Sequence, residues 1–230
     1  MSNNRNRFII ITLFLILALI APLVFAQQDE NEATIVTYKL TWADDERTTI
    51  NNDLGYEITI DEGFITTYSA ELLLCADNEL SSWLMPQTAY AGHGDEISTA
   101  RTTQPLTESL PAQTAVLLET RTIAADNYCQ IHVVIGPDNN SNTSTLQITG
   151  SYSSLNSDAV GSFSFQTNLA WGDIYSLPTY IGTNETAVSI TIQRDISDLF
   201  NGINFEADKT SQIEKTLLRN LINSIEIKTT

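Results

Sequence analysis

Basic residues and soft metal donors are both scarce in this 230-residue sequence: 11 Lys and Arg stand against 28 Asp and Glu, with two Cys, two His and two Met. A formal charge of -17 repels phosphate backbones and anionic lipid surfaces, which excludes nucleic acid as an expected partner. Several catalytic signatures are missing. There is no G-x-S-x-G elbow, no H-E-x-x-H helix, no glycine-rich phosphate loop and no C-x-x-C pair. Only one long apolar run occurs, at the N-terminus, so no second segment reads as a membrane span.

That run defines the compartment. Arg5 and Arg7 precede the apolar stretch Phe8 to Ile20, followed by Pro22 and the small-residue site Val24-Phe25-Ala26. Charged head, short apolar core and small cleavage site make residues 1–26 a secretory signal peptide, with a retained N-terminal anchor as the alternative. No cysteine follows where a lipoprotein would need one. Residues 27–230 are then expected as a single domain, periplasmic or secreted, with no membrane association after cleavage. Loss of the two arginines takes the formal charge to about -19, suited to a saline or extracellular setting. In an oxidising compartment Cys75 and Cys129 favour a disulfide, two thiolate metal ligands being the alternative.

Period-2 and β-branched segments dominate: Thr34 to Trp42, Gly55 to Ile60, Phe64 to Cys75, Thr114 to Ile123, Tyr128 to Ile135, Thr145 to Tyr152, Val160 to Thr167 and Thr186 to Arg194. Asp61-Glu62-Gly63 and Gly136-Pro137-Asp138-Asn139-Asn140 read as turns between them. The C-terminus changes period, with Ile213, Leu217, Leu218, Leu221, Ile222 and Ile225 on one helical stripe and Ser211 with Glu214 as a capping box. A shorter helical turn is predicted from Asp195, carrying Leu199 and Phe200 to a break at Gly202. The fold class is all-β: an antiparallel, immunoglobulin-like β-sandwich with a C-terminal α-helix.

From Pro86 to Gln113 large apolar residues thin out and Pro105, Pro111, Gly92 and Gly94 appear, which predicts a long loop. It contains Ala91-Gly92-His93-Gly94-Asp95-Glu96, an imidazole between glycines with carboxylates just after it. His93 and Asp95 are candidate metal ligands, compatible with copper, zinc or nickel and short of the oxygen count calcium needs. The plain alternative is an exposed loop histidine. His132, opposite in face to Cys129, Ile131 and Val133, is expected to point outward, where a Cys75–Cys129 bridge makes an approach to His93 plausible. Met85 at the loop entrance beside Trp83 adds a candidate thioether ligand, or closes the core under the loop.

Catalysis has little support, because abundant serines and aspartates with His93 single out no Ser-His-Asp trio and the paired carboxylates sit in apparent turns. Exposed members of the set Tyr38, Trp42, Tyr56, Tyr152, Trp171, Tyr175 and Tyr180 would suit a structural or adhesive module binding protein or glycan; most are expected in the core. An extracellular hydrolase is a third reading. Sequons stand at Asn139, Asn142 and Asn184.

The signal peptide, the Gly55-Tyr56 strand leading into Phe64 to Cys75, and the tail from Asp195-Ile-Ser-Asp-Leu-Phe-Asn-Gly to Leu218-Arg-Asn-Leu-Ile together resemble MbnP-like periplasmic proteins. The resemblance implies a β-rich periplasmic protein that binds or handles a copper ion, with a periplasmic redox or transport partner, in some cases a dihaem protein that oxidises a tryptophan near the metal. It implies His93, His132 and Met85 as copper-type donors, with Trp83 and Trp171 as oxidation targets. The histidine-rich site of that family has no counterpart here.

Overall fold

A computed structural model of the chain describes residues 33–43, 49–75, 98–110, 115–138 and 141–230. Strands follow where apolar side chains alternate with polar ones. In β1 (Ala33–Trp42), Val36, Tyr38, Leu40 and Trp42 point inward; burying each contributes roughly 1.5–3 kcal/mol. The others are β2 (Thr49–Asn51), β3 (Tyr56–Leu74), β4 (Leu106–Leu110), β5 (Val116–Ala124), β6 (Tyr128–Ile135), β7 (Leu146–Ser154), β8 (Val160–Thr167), β9 (Trp171–Ile181), β10 (Ala187–Arg194) and β11 (Glu226–Thr229). One helix, α1 (Thr210–Asn223), precedes β11.

They form a sandwich of a four-stranded sheet, β11-β10-β1-β5, and a seven-stranded sheet, β8-β7-β3-β6-β9 with β2 and β4 also on β3. Residues Ala33 to Thr230 make one compact unit. The four-plus-seven division gives the sandwich without singling out an immunoglobulin-like order. Pairing is antiparallel throughout with one exception: β1 and β10 run parallel, from Ile35 opposite Ala187 to Trp42 opposite Arg194. That parallel seam needs the long connection between the two strands.

Two polar residues tie the layers. Arg194, at the end of β10, is buried and donates from Nη1 to Glu108 Oε2 on β4 and from Nη2 to Thr67 Oγ1 on β3, while its guanidinium lies 5.6 Å from the ring centre of Trp42 on β1. Each sheet thus contributes to one buried charge pair. Asn52, also buried, uses its whole amide: Nδ2 donates to Phe200 O and Ile203 O at 3.2 and 2.9 Å, and Oδ1 accepts from the Leu54 and Tyr56 N–H groups at 3.1 and 2.9 Å. It fixes the β2–β3 turn against residues 200–203.

Several expectations are corrected. Asp61-Glu62-Gly63 is not a turn: β3 runs unbroken for 19 residues, and the register shift between Ile60 and Glu62 marks a bulge. An extra residue is absorbed without ending the strand. Gly63 is needed there because a Cβ would stand 2.7 Å from Gln147 O on β7. The predicted loop to Gln113 ends early, since β4 pairs Leu106 to Leu110 with Thr67 to Gly63 of β3. β2 and β9 were hidden from the pattern, β9 because exposed residues and Pro178 break its alternation.

The helix also starts differently. Lys209 is its N-cap, and Gln212 Oε1 accepts the Lys209 N–H at 3.2 Å, so Ser211 and Glu214 do not form the box. Its buried stripe is Ile213, Leu217, Leu218, Leu221 and Ile222; Ile225 is buried too, but in the turn leading to β11. The Asp195 segment makes four-residue turns, Leu199 N–H to Ile196 O and Asn201 N–H to Asp198 O, and Gly202 takes a positive φ of 75° where it stops.

Candidate functional site

Cys75 and Cys129 are bridged, with Cα atoms 5.0 Å apart and a sequence separation of 54. The bridge ties the end of β3 to the start of β6, and the Cys75 N–H donates to Asn127 O at 2.8 Å beside it. The chain therefore leaves β3 from a covalently fixed point.

It returns to an equally fixed one. In the limb from Ser98 to Thr103, Ala100 O accepts from Leu72 N–H at 3.3 Å and from the buried Tyr38 hydroxyl at 2.6 Å. Thr102 N–H donates to Ala70 O, and Thr102 Oγ1 accepts the Ala70 N–H. On the other sheet, Glu119 accepts from the Thr103 N–H at 2.6 Å and from its hydroxyl at 3.0 Å, and Arg121 Nε donates to Thr99 O. Burial raises the Glu119 pKa, but these Thr103 bonds and the Arg121 charge outweigh it and hold the carboxyl below its usual value. Burial pushes the Tyr38 phenol well above its usual value, so it stays a neutral donor. One limb is thereby gripped by β3 of the large sheet and by β1 and β5 of the small one.

Next to this base, the large sheet's outer face carries an ordered row. Arg101 pairs by a backbone β-bridge with Glu71 on β3, Glu71 lies opposite His132 on β6, and His132 lies opposite Ile174 on β9. Arg101 also sits 5.9 Å over the Tyr68 ring. His132 is half-buried while its neighbours Ile131 and Val133 are fully buried, so its ring occupies the outward face. Gly172 makes room for it: a Cβ there would stand 3.1 Å from His132 Nε2. Burial lowers the imidazole pKa; Glu71 pushes it back up, Arg101 lowers it and Asp173 raises it, leaving it below the ordinary 6.5. At neutral pH the ring is uncharged and keeps a lone pair for a proton donor or a metal.

An unfolded chain binds a proton at His132 at pH values where the folded chain does not, so this contribution to stability is complete above about 6.5 and is lost as pH falls through the folded pKa. In an NMR titration the His132 ring protons are expected to move with a midpoint below 6.5. His132→Asn should flatten the corresponding limb of the stability-versus-pH curve. A midpoint at or above the ordinary value would contradict this burial.

The other proposed ligands, His93, Met85 and Asp95, together with Trp83, lie outside the described residues. Among the described residues no three His, Cys, Asp or Glu side chains gather as a metal cluster, and no helix is long and apolar enough to cross a membrane. Trp42 and Tyr56 are buried; Trp171 and Tyr180 are exposed. Sequence reasoning missed Glu71, Arg101 and Gly172. Glu71 had a signal, being the lone charge inside the apolar run Tyr68 to Cys75. Arg101 had none, because its partners are defined only by the fold. No protein-family profile matches the chain, and neither curated proteins nor solved structures yield a match.

Proposed function

We propose that this chain is an exported, non-catalytic protein that binds or handles a transition metal, copper foremost, with His132 as the fixed donor and His93 as its partner from the segment following Cys75. The observation that carries the reading is the neutral, half-buried His132 beside two fixed points of the chain, the Cys75–Cys129 bridge and the Ser98 to Thr103 limb. Reach supports it. Arg101 is two strand spacings from His132, about 10 Å, whereas eight residues of chain span up to about 28 Å, so His93 can come to His132 from its fixed return point. Imidazole suits copper or zinc, and Met85 or Asp95 would complete a set whose softness selects between them. The MbnP-like resemblance points the same way and adds a periplasmic redox or transport partner.

Calorimetric titration with copper and with zinc tests the reading. Wild-type chain should bind one of them with Kd at or below about 1 µM, and either His132→Asn or His93→Ala should weaken it at least about tenfold, about 1.4 kcal/mol. Affinities unchanged in both variants would remove the site.

A further inference from the structure

Register brings three chemistry-bearing side chains to one outer face. Ala100 and Thr102, Ala70 and Leu72, and Ile131 and Val133 are all buried, so Arg101, Glu71 and His132 between them point outward from neighbouring segments. Directly opposed residues of an antiparallel pair have Cβ atoms about 4.5–5.5 Å apart. The Glu71 carboxylate and the His132 imidazole can therefore converge on one cation, at the roughly 2.0–2.2 Å that metal–nitrogen and metal–oxygen bonds require. On its other side His132 meets Ile174, which offers no donor. Asp173 stands opposite Val133, whose side chain points inward, and so starts from the other alternation of β9. After burial, Glu71 is the strongest influence on the His132 ring, ahead of Arg101 and Asp173. Among the described residues neither Glu71 nor His132 has a side-chain hydrogen bond or an ion pair. The Arg101 guanidinium lies over the Tyr68 ring, 5.9 Å from its centre.

We propose that Glu71 gives a carboxylate oxygen to the metal held by His132, and that this makes the site one for copper(II) rather than copper(I). The proposal rests on the metal reading of His132 and adds to it a ligand and an oxidation state. Soft thiolates and thioethers select copper(I), whereas an anionic oxygen beside imidazole suits the harder divalent ion. Zinc would accept the same donors, but at a given nitrogen and oxygen site copper(II) binds more tightly. The carboxylate has a second effect. Arg101 places a positive charge near His132, which opposes an incoming cation, and Glu71 between them offsets it.

The purified chain is titrated with copper(II), and with copper(I) kept reduced by ascorbate in the absence of oxygen. Glu71→Gln should weaken copper(II) binding at least about tenfold and leave copper(I) within about threefold. The copper(II) electron paramagnetic resonance spectrum should change with it, as loss of an oxygen ligand requires, while an unchanged circular dichroism spectrum checks the fold. Glu71→Asp keeps an oxygen donor and should lose less affinity than Glu71→Gln. Copper(II) affinity and spectrum unchanged in Glu71→Gln, with His132→Asn still weakening the metal, would overturn this inference and leave the metal reading standing. Binding unchanged in both variants would remove the two together. A Glu71→Gln loss equal for both oxidation states, or matched in full by Glu71→Asp, also overturns it, because the carboxylate would then act through charge or shape and not as a ligand.

Discussion

Arg194→Met is expected to lower the free energy of unfolding by about 3–5 kcal/mol, the usual result of leaving one member of a buried ion pair without its partner. The size follows from where the charge sits. Arg194 is 1% and Glu108 4% exposed, so the Glu108 carboxylate left behind has no water to fall back on. Methionine fills much of the arginine stem's volume, so a cavity contributes little to the loss. Thr67 Oγ1 also loses its donor, and the cation over Trp42 disappears. The two sheets are then held at this point by apolar contact alone.

The informative comparison is the double variant Arg194→Met/Glu108→Leu. If the cost of the single change is a stranded charge, removing Glu108 as well should recover most of it, because replacing a whole buried pair by apolar side chains is often neutral or stabilising. Chemical denaturation of wild type, both singles and the double closes the cycle. A single-variant cost below about 1 kcal/mol, in the range of exposed pairs, would show that solvent reaches the pair. A double variant as poor as the single would assign the loss to packing rather than to charge.

This pair also marks a limit of what the residue pattern reveals. Arg194 closes an alternating strand segment and reads as an ordinary terminal charge. Its burial depends on β1 and β10 lying side by side in parallel, a pairing between residues about 150 positions apart that no local period encodes. Strands with clean alternation were legible from the sequence, and Tyr128 to Ile135 and Val160 to Thr167 agree to the residue. The bulge at Asp61 was not, because Asp-Glu-Gly has the composition of a turn; only the pairing of β3 with β7 makes it a kink in one long strand. β9 was hidden for the opposite reason. An edge strand has little burial to enforce alternation, so its residues Trp171 to Tyr180 look like a connection.

The candidate site divides along the same line. His132 could be placed on an outward face from strand period alone, and the cysteine pairing from compartment and count. The row that surrounds His132 could not, since Glu71, Arg101 and Gly172 come from three separated stretches and meet through register. The grip on residues 98–103 was equally invisible: it uses a tyrosine hydroxyl, a glutamate and an arginine from β1 and β5, each unremarkable in its own segment.

Cys75→Ala/Cys129→Ala is the second change expected to have a large effect. Opening a closed loop with a sequence separation of 54 should cost about 4 kcal/mol on the chain-entropy account, and the loss should be local before it is global. The bridge holds the end of β3 against the start of β6, where the register shifts between Leu73 and Leu74 and pairing is already irregular. Amide exchange should rise first at Cys75, whose N–H is bonded to Asn127 O, and less at Leu72 and Thr102, which the Ser98 to Thr103 limb secures independently. Reduction of the wild-type bridge under non-denaturing conditions should give the same exchange pattern. Because one of the two anchors beside His132 survives, the proposed metal site predicts an affinity in the double variant that falls without vanishing. Unfolding free energies within about 1 kcal/mol of wild type, or exchange that rises uniformly across both sheets, would mean that the hydrogen-bonded limb alone holds this end of β3 and that the disulfide is dispensable to it.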